Sequence, residues 1–141
     1  SSRTISVRQI PSVGKPSVSA SFTAQNVRFD LIECLNSNGT VRCKFVVTAE
    51  KKDASLRIDN DTTAFAESGQ ESRPNSYLVA DRSVSTSTLY KDLIADFPLK
   101  IEILFSGFGR DVDRLAQIRF RTLVDGSWSW SKISNIAVSQ K

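Results

Sequence analysis

The chain has 141 residues, a formal net charge of +4, two cysteines and no histidine. That length fits a single domain, and no apolar run approaches the roughly 18 residues that a membrane-spanning helix needs. Without histidine the chain lacks the general base of Ser-His-Asp and Cys-His nucleophilic schemes, so both schemes are excluded.

A basic leader rich in Ser and Pro is predicted at residues 1–21. Residues 1–29 carry four basic side chains and no acidic one, whereas residues 30–141 balance 15 basic against 15 acidic side chains. A nucleic-acid interface needs many cations on one folded face. We therefore expect a domain at residues 22–141 that does not bind nucleic acid. Within the leader, we expect residues 4–10 to pair along a sheet edge of their own domain, to swap onto a neighbouring molecule, or to have no regular structure.

Short runs of alternating apolar and polar residues, divided by Gly, Asn, Asp, Ser and Pro, are typical of β-strands. The candidate strands are residues 4–10, 27–35, 40–49, 54–58, 76–85, 99–105, 116–121 and 127–138. Residues 59–75 and 106–113 are predicted loops, and residues 89–97 suggest a helical turn that Pro98 ends. About eight strands at this spacing predict an all-β fold, an immunoglobulin-like antiparallel β-sandwich.

The two cysteines, Cys34 and Cys43, flank an Asn-Gly pair in the segment CLNSNGTVRC. Asn38-Gly39 predicts a type I′ turn, which aligns the cysteines at a non-hydrogen-bonded position with Cα atoms about 4.5 Å apart. This geometry favours a structural disulfide over a metal site or a redox pair, and two free buried thiols are the alternative. A disulfide predicts folding outside the reducing cytosol.

The apolar faces of this hairpin also predict a bulge at Ile32 and Glu33. With regular pairing, two apolar sets would lie on opposite sides of the sheet. A single shift of phase brings both sets to the core side. The two sets are Val27, Phe29 and Leu31 on the first strand, and Cys43, Phe45 and Val47 on the second.

Acidic residues leave carboxylate-only hydrolysis open, but no spacing selects a catalytic pair. Asp59 with Asp61, and Asp111 with Asp113, lie in predicted loops and are weak Ca²⁺ candidates. Asp is also a common turn residue because its side chain bonds the nearby backbone. We therefore expect no enzymatic activity, no resident metal and no cofactor.

The segment GSWSWSK places Trp128 and Trp130 on one side of a predicted strand. Packed inward, which is the arrangement that the sequence favours, they would be ordinary core residues. Left exposed, they would form a flat platform for a sugar ring or an apolar partner. Tyr77 and Tyr90 could extend such a surface, and the sequence does not orient the rings.

The pattern VRFDLIECLNSNGTVRCKFVVTAEKKDASLRI, followed by SYLVADRSVS, LIADFPLKIEILFSGF and ISNIAV, resembles the telokin-like group of immunoglobulin-like domains in exported bacterial proteins. The resemblance covers roughly residues 22–139. It rests on the hydrophobic pattern, the hairpin with paired cysteines and the strand led by Pro98. It implies a non-catalytic interaction or accessory domain of the cell envelope, and it carries over no site residue.

We therefore expect an extracytoplasmic module, periplasmic, envelope-associated or secreted, that binds a protein partner without catalysis. The first alternative is a carbohydrate-binding module that uses Trp128 and Trp130. A carboxylate-dependent hydrolase is the second alternative.

Overall fold

The computed structural model describes residues 17–141, which form twelve β-strands. Within this range no helix occurs, and therefore none with the length and apolarity of a membrane span. The strands are β1 (Ala20–Ala24), β2 (Val27–Ser37), β3 (Thr40–Ala49), β4 (Ala54–Ile58), β5 (Thr63–Ala66), β6 (Glu71–Ser72), β7 (Pro74–Val79), β8 (Arg82–Val84), β9 (Leu89–Leu93), β10 (Leu99–Phe105), β11 (Arg114–Val124) and β12 (Ser127–Gln140).

The strands form one curled sheet in the order β6-β5-β11-β12-β2-β3-β10-β7-β8. β1 also pairs with β2, β4 also pairs with β11, and β9 pairs with β4. The long strand β12 joins the two halves, because its end pairs with β2 in parallel, with Val138 opposite Cys34. The all-β class is therefore confirmed. Within residues 17–141, twelve strands in a mixed half-barrel are found in place of the antiparallel sandwich of about eight strands that the sequence predicts.

Three local predictions are wrong. The predicted loop at residues 59–75 contains β5 and β6, and residues 76–85 are two strands divided by a turn at Ala80 and Asp81, both with positive φ. Residues 89–97 do not form the predicted helical turn, because Leu89–Leu93 is strand β9, which pairs with β4. Leu89 and Leu93 are both buried, and a spacing of four residues puts them on one face of a strand as well as of a helix.

The β2–β3 hairpin follows the predicted register. Cys34 and Cys43 form a disulfide with an S–S distance of 2.07 Å. Asn38 and Gly39 both have positive φ, 54° and 94°, and the register shifts between Leu31 and Glu33. The predicted disulfide, turn and bulge are therefore confirmed.

A cluster of four phenylalanines lies at the centre of the core. Phe22 stacks on Phe29 with ring centroids 4.6 Å apart, and Phe120 lies 4.7 Å from Phe22 and 5.8 Å from Phe29. Phe120 also meets Phe45 edge to face at 5.4 Å. Phe120 belongs to β11, whereas its partners belong to β1, β2 and β3, so this cluster holds the two halves of the curled sheet against each other.

The N-terminal region is described from residue 17 onward. β1 begins at Ala20, just before the expected domain boundary at residue 22, and pairs with β2. The predicted edge strand at residues 4–10 lies outside the described residues.

Replacing Gly39 by alanine is expected to destabilise the fold more than replacing Gly126. Both glycines have positive φ, 94° and 85°, so alanine adds a similar backbone strain of roughly 1–2 kcal/mol at each. A Cβ at Gly39 would also overlap the carbonyl oxygen of Phe108, whereas a Cβ at Gly126 meets no atom within 4 Å. Urea unfolding should give G39A a free energy of unfolding at least about 1 kcal/mol below that of G126A. Equal stabilities would contradict the close approach of Phe108 to the hairpin turn.

Reducing the disulfide is expected to lower the free energy of unfolding by at most about 2–3 kcal/mol, because the loop that it closes is short. Urea unfolding of the oxidised protein, the reduced protein and the double variant C34A/C43A measures this cost. The reduced protein keeps both sulfur atoms in the core, so the difference between its free energy of unfolding and that of the double variant measures the packing contribution of the two sulfur atoms. Alkylation of both thiols in the native, unreduced protein would show that the disulfide does not form.

Candidate binding surface

The outer face of β9, β4, β11 and β12 carries the candidate surface. Along β11, Ile118, Phe120 and Thr122 are fully buried. Because side chains alternate across a strand, Arg119 and Arg121 point to the outer face.

The register of β12 sets the two tryptophans beside these arginines. Trp130 lies opposite Arg121, and Ser131 lies opposite the buried Phe120. The serines of GSWSWSK therefore take the core side of the strand, and the indoles take the outer side. Trp128 and Trp130 are 43% and 53% exposed, so the expectation that they pack inward is wrong.

Arginines and aromatic rings alternate on this face in a series that we call the arginine–aromatic ladder. The Arg57 guanidinium carbon lies 5.3 Å from the Tyr90 ring centroid and 5.2 Å from that of Trp128. The Arg121 guanidinium lies 4.6 Å from Trp128 and 4.9 Å from Trp130. Arg119 completes the series at 5.1 Å from Trp130. The members in order are Tyr90, Arg57, Trp128, Arg121, Trp130 and Arg119.

Strand pairing explains how residues distant in sequence meet in the ladder. Tyr90 on β9 faces Arg57 on β4, and Arg57 faces Leu123 on β11, the neighbour of Trp128 on β12. These four residues form one row across four strands. Each cation–π contact at an exposed site contributes about 0.5–1 kcal/mol, so the series holds the arginines in place.

The ends of the ladder differ in how their charge is compensated. The Arg57 side chain donates a hydrogen bond from Nη2 to Oδ1 of the buried Asp59 at 2.8 Å. Among residues 17–141, neither Arg119 nor Arg121 forms an ion pair with a carboxylate or donates a side-chain hydrogen bond. Within the described residues, the side-chain N–H donors of these two guanidinium groups therefore have no acceptor.

On the outer face of β2, β3 and β10, by contrast, cationic side chains are paired with carboxylates. Every cation of these pairs has a carboxylate partner there, so this face, which we call the ion-paired face, has no excess of positive charge among its paired groups. The pairs are Arg28 with Asp30 and Glu50, Lys44 with Glu33, Arg42 with Glu102, and Lys100 with Asp81.

A shallow depression adjoins each end of the ladder. At the Tyr90 end, a depression of about 260 Å³ is lined by Arg57 and Tyr90 together with the acidic residues Asp92 and Asp125. At the other end, a depression of about 340 Å³ is lined by Arg119 and Trp130 together with the acidic residues Asp61 and Glu71. Carboxylates therefore lie in both depressions, and the arginine–aromatic ladder lies between them.

The two tyrosines singled out in the sequence have different positions. Tyr90 is 67% exposed and belongs to the ladder. Tyr77 is fully buried on β7, and its hydroxyl donates a hydrogen bond to the carbonyl of Ser87 at 3.1 Å. Burial raises the pKa of the Tyr77 phenol above its ordinary value. Tyr77 therefore does not extend the exposed surface, because its ring fills the core.

Residues of both Asp-x-Asp elements form hydrogen bonds within the protein. Asp59 accepts hydrogen bonds from the Arg57 guanidinium and from the backbone N–H of Asp61. The backbone carbonyl of Asp113 accepts a hydrogen bond from the N–H of Val138, and Asp111 is exposed in the same loop. Within the part of the chain that the structure describes, no three His, Cys, Asp or Glu side chains converge as metal ligands.

Sequence reasoning missed Arg57 altogether and did not connect the arginines of β11 with the tryptophans. The alternation in AQIRFR already puts Arg119 and Arg121 on the face opposite Phe120. The information that the sequence lacks is strand order, because only the pairing of β4 and β12 with β11 brings the members together.

Comparisons of the chain with protein-family models, with curated proteins and with solved structures found no match. The resemblance to telokin-like domains therefore stays a prediction.

Iodide is expected to quench the tryptophan fluorescence more strongly than caesium. Both tryptophans of the chain are exposed, and the guanidinium groups beside them attract an anionic quencher and repel a cationic one. Stern–Volmer titrations at equal ionic strength measure the ratio of the two quenching constants.

The variant R119Q/R121Q should lower that ratio, whereas R28Q/K44Q, which removes the same charge from the ion-paired face, should leave it unchanged. Equal quenching of the natural protein by the two ions would mean that the arginines do not set the potential at the indoles.

Proposed function

We propose that this chain is a non-catalytic binding module that acts outside the cytosol and holds an acidic partner on the arginine–aromatic ladder. One observation carries the proposal: Arg119 and Arg121 are positioned by the indoles, yet neither has a carboxylate partner among residues 17–141. A guanidinium with uncommitted N–H donors binds carboxylate, sulfate or phosphate in preference to neutral groups.

The contrast between the two outer faces supports the choice of the ladder as the binding site. The ion-paired face neutralises its own cations, so an acidic partner gains little there. The ladder face leaves two cations for an external anion. Long-range attraction therefore directs an acidic partner to this side of the molecule.

The disulfide supports a location outside the cytosol. Cys34 and Cys43 are almost fully buried and form a bond that persists in oxidising compartments. An immunoglobulin-like relationship and an accessory role at the cell envelope remain part of this proposal, because the β2–β3 hairpin and the Pro98-led strand agree with that resemblance. An acidic protein of the envelope is one source of the ligand.

A carbohydrate ligand is the second candidate, favoured by the exposure of Trp128 and Trp130. Each of these indoles has two guanidinium carbons within 5.2 Å of its ring centroid. A neutral sugar stacks on an open ring face, and here the arginines compete for those faces. The ladder therefore suits a charged ligand better than a neutral sugar.

Affinity electrophoresis through gels that contain dextran sulfate or uncharged dextran tests the proposal. The natural protein should be retarded by dextran sulfate and not by dextran, and added salt should abolish the retardation. R119Q/R121Q should lose most of the retardation by dextran sulfate, because it lacks the two guanidinium groups that are proposed to contact the sulfate groups.

R28Q/K44Q is the matched control, since it also removes two positive charges but from the ion-paired face. Its retardation should stay close to that of the natural protein. Equal losses in the two variants would mean that net charge, and not the ladder, determines binding. Thermal unfolding of each variant checks that the fold is intact.

A further inference from the structure

We infer that the acidic partner of the ladder is a protein whose contact surface has carboxylates at its centre and cationic side chains on both sides of them. This inference rests on the proposed function, since it names the class of partner that binds at the same surface. Three observations support it: the residue types of the ladder, the carboxylates at its two ends, and the length over which these charges alternate in sign.

The ladder consists of the residue types that carry most of the binding energy in protein interfaces. Its six members are three aromatic side chains and three arginines. Trp, Tyr and Arg are enriched at the few interface positions where truncation weakens binding most. All three rings of the ladder are exposed, so a protein that covers them removes aromatic surface from water.

Two carboxylates are held at the Tyr90 end of the ladder by one residue, Ser55. The backbone N–H of Ser55 donates a hydrogen bond to Oδ1 of Asp125 at 2.9 Å, and its hydroxyl donates to Oδ1 of Asp92 at 3.1 Å. Both donors are neutral, and within residues 17–141 neither carboxylate forms an ion pair. This end therefore presents two negative charges that attract a cation of the partner.

The opposite end of the ladder also has a carboxylate without a cation beside it. Glu71 is exposed and forms no ion pair with any residue that the structure describes, whereas Asp61 pairs with Arg73 at 3.7 Å. Glu71 lies opposite Phe65, and Phe65 lies opposite Gln117 of β11. Residues that face each other across paired strands share a side of the sheet, so Glu71 lies on the outer face with the ladder arginines.

The charges follow a definite order along β11, with arginines at the centre and carboxylates at both ends. Arg57 lies opposite Leu123, and Glu71 belongs to the row of Gln117, so each can be placed along this strand. From one end to the other, the successive rows carry Asp125, Arg57, Arg121, Arg119 and Glu71. We call this series the acid–arginine–acid stripe. Its eight residue steps span about 26 Å.

The stripe fits a protein partner in both charge and length. Arg57 is paired with Asp59, so the uncompensated positive charge of the centre lies on Arg121 and Arg119. A chain of uniform negative charge is attracted by this centre but repelled at both ends, whereas a protein with flanking cations is attracted in every part. A standard protein interface buries about 800 Å² on each partner and is roughly 30 Å across, so one interface covers the whole stripe.

Three synthetic nonapeptides with blocked termini test the inference on the full chain labelled with ¹⁵N. In an extended conformation, KSESESESK presents a cation, three carboxylates and a cation on one side, over about the length of the stripe. ESKSESKSE has the same composition in a different order, and nonaglutamate has uniform charge. NMR titrations that follow the indole N–H signals of Trp128 and Trp130 measure the affinities. We expect KSESESESK to bind at least about threefold more tightly than ESKSESKSE.

Removing one carboxylate from each end of the stripe separates charge order from simple attraction to arginine. E71Q/D92N should weaken the binding of KSESESESK by about threefold, because both lysines lose a partner. The same variant should strengthen the binding of nonaglutamate, because the repulsion at both ends falls. R119Q/R121Q should lose the binding of both peptides.

D96N/D111N is the matched control, since it removes two exposed carboxylates that line neither depression. Its affinity for KSESESESK should equal that of the natural protein. Thermal unfolding of each variant checks that the fold is intact.

The outcomes distinguish this inference from the function on which it rests. Equal affinities for KSESESESK and ESKSESKSE, or no peptide binding by a protein that dextran sulfate still retards, would overturn the protein partner and leave an acidic-partner module. A dimer in sedimentation velocity that R119Q/R121Q dissociates would make a second copy of the chain the occupant and also overturn the inference. No binding of any polyanion that depends on the ladder would overturn the proposed function as well.

Discussion

The burial of Phe120 among Phe22, Phe29 and Phe45 is the constraint on which the candidate surface depends. Strand side chains alternate, so a core position for Phe120 sends Arg119 and Arg121 to the outer face. A shift of one residue along β11 would exchange the two sets, placing two guanidinium groups in an apolar core at a prohibitive cost. The register of β11 therefore determines both which of its side chains pack in the core and which are exposed on the outer face.

The β2–β3 hairpin plays the corresponding role in the other half of the sheet. Its disulfide is buried in the core, and the Asn36 side chain receives a hydrogen bond from the N–H of Gly39 while donating to the carbonyls of Gly109 and Val112. One buried amide thus ties the hairpin turn to the loop between β10 and β11. That loop leads directly into the strand that carries the ladder arginines, so the position of β11 is anchored at its start as well as in the core.

Features set by local chemistry could be predicted from the sequence, and features set by strand order could not. Asn38-Gly39 specifies its turn, the turn aligns Cys34 with Cys43, and the apolar faces then require the bulge. By contrast, Leu89 and Leu93 fit one face of either a helix or a strand, and β5 is too short for its alternation to be recognised. The ladder combines both cases, since alternation orients each side chain while pairing between distant strands makes them neighbours.

The difference between the two outer faces explains what the aromatic rings would contribute to the proposed anion-binding surface. A carboxylate beside each arginine would hold it in place but would also neutralise it, which is the arrangement on the ion-paired face. An aromatic ring attracts a guanidinium without neutralising its charge, and Arg121 lies beside both indoles in this way. Positioning without neutralisation lowers the ordering cost when an anion binds, because the long arginine side chains are already restricted. In the proposed function, the tryptophans would hold Arg119 and Arg121 in place without neutralising their charge.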